Sequence, residues 1–275
     1  MQDFIVDDEP RARSIGFDAT DRQGTIVTVG VLVNRTQEAM LLGTLYEELS
    51  EHYYLPFRTK SRDLTLPPEK IHEVLLQCNG EVGICIHQGD VTLPYAEAVH
   101  SAILLKELSV TTNDTVAIVD GDGSRANQLY QSSSGIDVVP PAIANCTQSE
   151  LYYPHLLLAD LVAGSIADRI NENPGAASEV TLNDPVTMIR NTTSSTQDGA
   201  WGRGYSSVAR QEGEVENPTF EQRYASSFRE RIACWFRGQF GDRNADPPTS
   251  DGISHVVGRL EALGCEGIAT WMIEQ

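Results

Sequence analysis

Lysine is nearly missing from this chain. Lys60, Lys70 and Lys106 are the only three among 275 residues, so arginine supplies most of the positive charge and the net charge is −19. Acidic surfaces hold water and keep proteins soluble where salt screens charge, with a Debye length of about 3 Å at 1 M salt. The composition therefore reads as adaptation to a salt-rich cytoplasm, with an ordinary acidic protein as the alternative. The shortage of cations also argues against a broad basic surface for nucleic acid, because lysine and arginine contacts to phosphate normally supply most of that affinity. A site that needs positive potential only locally escapes the objection.

Long apolar runs are missing as well. None approaches the roughly 18 residues of a membrane-spanning helix, so no membrane partner is expected. The start, Met1-Gln2-Asp3-Phe4-Ile5-Val6-Asp7-Asp8-Glu9, is acidic and unlike a signal peptide, which places the chain in the cytoplasm. Cys78, Cys85, Cys146, Cys234 and Cys265 are odd in number, widely spaced and contain no C-x-x-C pair, which argues against both a disulfide framework and a thiolate zinc site. There is no Gly-rich phosphate loop, G-x-S-x-G elbow, H-E-x-x-H or Cys-His pairing, and Gly121-Asp122-Gly123 is too short to mean a nucleotide fold. The aspartates are left to carry the chemistry.

Three of them stand out. Asp160 lies inside Tyr153-Pro154-His155-Leu156-Leu157-Leu158-Ala159-Asp160-Leu161-Val162-Ala163-Gly164, a helix-like apolar run. An unpaired buried carboxylate costs several kcal/mol, so such a residue calls for a cation, a metal ion or a proton; Arg13 and Arg125 are candidate partners. Asp18 follows Arg13-Ser14-Ile15-Gly16-Phe17 in what reads as a β-hairpin over residues 13–33, as an acid near its turn. Asp120 ends Thr115-Val116-Ala117-Ile118-Val119, at the carboxyl end of an expected buried strand, where sites form in open sheets. The structural alternatives are a turn brace for Asp18, an Asp-Gly turn for Asp120 and an arginine pair for Asp160.

The rest of the chain is expected to alternate helices and strands, an α/β sheet with helices packed on it. An amphipathic helix spans Thr36 to His52 with Thr36 as its N-cap candidate, and a short one runs from Pro67 to Gln77. Val82–His87 reads as a buried strand, Pro94–Leu108 as a helix, and Ile136-Asp137-Val138-Val139 as a short strand before the Asp160 helix. Residues 1–12 form a tail, 13–171 the main domain, 172–217 a linker or long loop rich in Gly, Ser, Thr and Asn, and 218–275 a small helical appendage. His87 and His155 lack partners at ligand spacing and read as structural. Asp168 lies about 12 Å along the helix from Asp160 and reads as a surface acid.

These residues carry a resemblance. Asp18 in the first strand, Lys60-Ser61-Arg62-Asp63-Leu64 before a helix, Ile118-Val119-Asp120, and Leu156-Leu157-Leu158-Ala159-Asp160-Leu161-Val162-Ala163-Gly164 together resemble an uncharacterised family of ribonuclease H-like proteins. That family is marked by Asp-Glu-Ser, Ile-Lys, Ile-Asp-Glu and Leu-Gln-Leu-Ala-Asp-Leu-Val-Ala-Gly. The resemblance covers roughly residues 13–171 and implies a ribonuclease H-like mixed sheet with flanking helices. It further implies that Asp18, Asp120 and Asp160 form a carboxylate cluster for Mg²⁺ or Mn²⁺, with Lys60 beside it to neutralise the scissile phosphate or orient an acid. Ala19 and Gly121 stand where the family pattern has acids, and Asp122 or Asp21 is the candidate substitute. Asp90 is a further acid near a strand end.

Carboxylate and water oxygens suit such hard ions, and a pair about 4 Å apart clamps the attacking and leaving oxygens of a phosphodiester. The expected function is a divalent-metal-dependent nuclease acting on DNA or RNA, with a homo-oligomer left open. The alternatives are an inactive module that keeps the fold for binding or assembly, and a nuclease closer to repair-associated families.

Overall fold

In the computed structural model the described residues are 13–174, apart from 56–58, 113, 122, 147, 148 and 152, together with 188–191. The expected tail and helical appendage, and most of the expected linker, lie outside them. β1 (Arg13–Arg22) and β2 (Thr25–Asn34) form the expected hairpin, in full antiparallel register from Arg13 opposite Asn34 to Arg22 opposite Thr25. Gln23 and Gly24 both have positive φ, the conformation that lets a two-residue turn follow the right-handed twist of its strands, and Asp21 Oδ1 accepts a 3.0 Å hydrogen bond from Gly24 N. Asp18 pairs with Val29 in mid-strand, several residues from the turn. It is not a turn acid, and its carboxylate faces the interior of the fold.

The remaining strands are β3 (Glu81–Gln88), β4 (Thr115–Asp120), β5 (Ala142–Cys146) and β6 (Met188–Asn191), in a six-stranded sheet ordered β5-β4-β1-β2-β3-β6. β1, β2 and β3 are antiparallel neighbours, whereas β4 runs parallel to β1, β5 parallel to β4 and β6 parallel to β3. The last strand falls inside the segment expected to be linker: Met188-Ile189-Arg190-Asn191 finds an open edge beside β3.

α1 (Arg35–Leu49), α2 (Pro68–Gln77) and α5 (Pro154–Glu172) cover one face, packing on Val27, Val29, Val31, Val33, Val82, Ile84 and Ile86. α3 (Leu93–Glu107) and α4 (Gly123–Gly135) cover the other, on Ile15, Phe17, Ile26, Leu32, Cys85, Ala117 and Val119. The split follows from side chains pointing to opposite faces at successive strand positions. α1 is capped by Asn34, not Thr36: Asn34 accepts from Gln37 N, and Gln37 Oε1 accepts in return from Asn34 N, which closes a capping box two residues earlier than expected.

Two further expectations change in the second half. The Ile136–Val139 segment is not a strand but the end of α4. Asp137 takes the left-handed conformation, Val138 N donates to Ser133 O at 2.8 Å, and Asp137 N donates to Ser134 O at 3.4 Å. This is a Schellman ending, with Ile136 and Val138 turned into the core. The strand comes later, as β5. α5 presses so closely on β1 that a Cβ on Gly16 would stand 2.1 Å from Leu156 Cδ1 and 2.8 Å from His155 Cδ2, a separation no other residue type permits without movement.

Candidate active site

Parallel pairing sets the first two acids together. Phe17 is registered with Val119, so the next residues, Asp18 and Asp120, stand side by side on neighbouring strands with side chains on one face. α5 lies across that face, and its apolar flanks Leu156, Leu157, Leu158, Leu161 and Val162 hold it against the sheet while Asp160 meets Asp18. Asp18 thus has Asp160 within hydrogen-bond reach and Asp120 within electrostatic range.

Asp18 is the electrostatic centre. Burial pushes its carboxyl well above the usual carboxylate range, and the charges of Asp160 and Glu97, a hydrogen bond with Asp160 and the charge of Asp120 push it the same way. A hydrogen bond between two carboxyl groups requires a proton between them, so without a cation the pair holds fewer than two charges. Asp160 also accepts a hydrogen bond from Ser61 Oγ. Asp120 is held differently: Ser149 N and Oγ both donate to its Oδ1, at 2.9 and 3.0 Å.

Neither arginine suggested for Asp160 reaches it. Arg13 pairs with Glu81 at 3.1 Å and Arg125 with Glu97 at 2.8 Å. Lys60 comes to the site but pairs with Glu150 at 2.9 Å, not with any of the three aspartates. Asp21 is occupied at the hairpin turn and exposed, Asp90 is exposed after β3, and Asp168 makes a surface pair with Arg22 at 3.3 Å. Asp122 lies outside the described residues. His155 is buried with Nδ1 3.3 Å from Glu38 Oε1, and His87 is buried 6.4 Å in ring separation from His100, both inside the packed layers and away from the acids.

Sequence reasoning missed Glu97. Burial raises its carboxyl to about 7, with Asp120 adding to the rise and Arg125 opposing it. It reaches the strand ends from α3, on the sheet face opposite α5. The signal was the one that exposed Asp160: between Val91 and Leu105, Glu97 is the only acid or basic residue other than His100 in a largely apolar helix. The site thus gathers four carboxylates near one strand end, all hard oxygen donors. Among the described residues, no three His, Cys, Asp or Glu side chains are already arranged around one point to hold a metal ion.

The strand order and the helices on both faces make the fold ribonuclease H-like. No family model matches the sequence, and no curated protein matches it. Solved structures similar to the chain include ribonuclease H2 from Pyrococcus horikoshii OT3, at 14% identity and a TM-score of 0.44, with 64% of this chain and 82% of that one covered. Another is the PCNA:RNase HII complex from Archaeoglobus fulgidus, at 14% identity and a TM-score of 0.42, covering 76% of this chain and 98% of that one. A third is Bst-RNase HIII in complex with Mn²⁺, at 12% identity and a TM-score of 0.43; 72% of this chain is covered, and the chain spans 65% of that enzyme. No helix among the described residues is long and apolar enough to cross a membrane.

Proposed function

We infer that the chain is a divalent-metal-dependent nuclease whose site consists of Asp18, Asp120, Asp160 and Glu97. The observation that carries this reading is the burial of Asp18 against Asp160, with Glu97 and Asp120 in electrostatic reach and the nearby cations Arg125 and Lys60 committed to glutamates. Packing like charges together costs stability unless something else neutralises them, and hard oxygen donors at a strand end suit Mg²⁺ or Mn²⁺. Glu97 takes the part that the missing acids at positions 19 and 121 leave open, and Asp122 is a candidate on sequence position alone.

A bound divalent ion would supply charge neutralisation for the phosphodiester and lower the pKa of the attacking water. The protein's own part is orientation. Asp18, fixed in mid-strand between two others, offers the carboxylate common to its neighbours. Asp160, fixed by α5 and Ser61, and Asp120, fixed by Ser149, define its flanks. The substrate is a nucleic acid, DNA or RNA, and salt adaptation makes molar KCl the working medium.

Mn²⁺ and Mg²⁺ titration calorimetry in molar KCl, with the native chain and an Asp18→Asn/Asp160→Asn variant checked by circular dichroism, tests the reading. Saturable binding lost in the variant supports it and leads to cleavage assays on single strands, duplexes and hybrids. Absent binding, or binding unchanged in the variant, overturns it and leaves a fold kept for recognition or assembly.

A further inference from the structure

Two short 3-10 turns that contribute none of the four acids run beside the cluster, and each grips one of its aspartates through a serine. Ser149 N and Oγ hold Asp120, and Ser61 Oγ holds Asp160. The residues next to those serines join the turns to each other: Lys60 Nζ lies 2.9 Å from Glu150 Oε1, with the two side chains only 17% and 16% exposed. The Lys60 turn is itself closed, because Asp63 N donates to Lys60 O at 3.0 Å and Lys60 N donates to the Asp63 carboxylate at 3.4 Å. A continuous path therefore runs from Asp120 through Ser149, Glu150, Lys60 and Ser61 to Asp160, and from Asp160 back to Asp18 beside Asp120.

We propose that Lys60 and Glu150 are positioning residues, an ionic clasp that fixes Ser149 and Ser61 and thereby sets the spacing of Asp120 and Asp160 for a divalent ion. The inference rests on reading those acids as a metal site. A lysine serving the acids as a countercharge would point at one of them, whereas this ammonium points at a glutamate that touches none of the four. A largely buried pair of this kind has a defined geometry, because neither partner can leave the other without losing charge compensation away from water. Its influence on the aspartates passes through one hydroxyl on one side and through a hydroxyl and a main-chain amide on the other. Loss of such a partner behind a metal ligand typically lowers metal affinity by about 10–100-fold.

The two roles for Lys60 predict opposite signs. If its charge acts directly on the cluster, Lys60→Met removes repulsion toward a cation and Mn²⁺ binds more tightly. If the clasp positions the ligands, Lys60→Met and Glu150→Gln both weaken Mn²⁺ binding by about tenfold or more, while Lys60→Arg keeps most of the affinity. Mn²⁺ titration calorimetry on the full chain measures this, and hydrogen exchange of the Ser149 amide without metal measures the clasp itself. The expected result is weaker Mn²⁺ binding and faster Ser149 exchange in both Lys60→Met and Glu150→Gln. Binding by Lys60→Met as tight as or tighter than that of the native chain overturns the proposal, as does Ser149 exchange unchanged in both variants. If the native chain binds no Mn²⁺, the metal reading fails, and the Ser149 exchange still decides whether the clasp exists.

Discussion

α5 makes two buried contacts through ionisable side chains, little more than a turn apart, and they are built on opposite principles. At its start His155, fully buried, faces the equally buried Glu38 of α1, a cation-forming group against an acid. Further along the same helix, Asp160 faces Asp18, an acid against an acid, with two more acids nearby. The first contact braces the packing of α1 and α5. The second works against that packing, and the contrast shows that the helix can be given a complementary partner where only stability is at stake. Like charges gathered at one end of a well-packed face mark the place where the fold carries a cost for chemistry.

The two contacts should break in opposite ways. The largest effect is expected from Asp18→Asn, which should lower Mn²⁺ affinity by more than about 100-fold, the upper end for partners that stand behind a ligand. The same variant should raise the melting temperature in chelator, by about 2–4 °C for each kcal/mol of relieved repulsion; a lower melting temperature would contradict the account of an uncompensated acid pair. Glu38→Ala should do the reverse, costing about 1–3 kcal/mol in urea unfolding because the buried side chain that faces His155 is truncated. A cost within experimental error of zero would remove the brace from the comparison. Gly16→Ala, which forces β1 and α5 apart beside both contacts, should cost about 1–3 kcal/mol and weaken Mn²⁺ binding together with stability.

The smallest expected effect concerns pH on the opposite face of the sheet. Burial, and then the charge of His87, lower His100 from its ordinary value of 6.5 to about 3, and Thr28 Oγ1 lies 2.8 Å from its Nδ1. The folded chain thus holds His100 neutral where the unfolded chain takes up a proton. The unfolded state binds more protons below about 6.5, so this contribution to stability falls as pH drops from 6.5 toward 3. Thermal melts at pH 7 and pH 5 should show His100→Gln losing less stability on acidification than the native chain. Equal losses would assign the acid sensitivity to other groups.

The acids of β1, β4 and α5 were legible because each interrupts a strong apolar pattern, and such interruptions need no knowledge of neighbours. Glu97 carried the same signature, but Tyr95, His100 and Ser101 around it diluted it. α4 was invisible for a related reason: Gly123-Ser124-Arg125-Ala126-Asn127-Gln128-Leu129 offers few apolar residues, and the helix exists because Ala126, Leu129 and Ile136 find a core to enter. Ile136-Asp137-Val138-Val139 has the composition of a strand, yet its apolar residues close a helix end, a distinction made by one left-handed aspartate. Ser149 and Glu150 had no local signal at all. Their importance lies in what the sheet and α5 bring beside them, and pairing across 90 residues leaves no mark in either segment alone.

Gly16 offers no functional group, yet its bare main chain lies against Leu156 and His155, on the same helix that carries Asp160. Size at this position is therefore a control on the site that leaves every reactive group in place. An enlarged residue there would leave all four acids in place while shifting the helix that carries one of them, a defect that a binding assay alone would mistake for the loss of an acid.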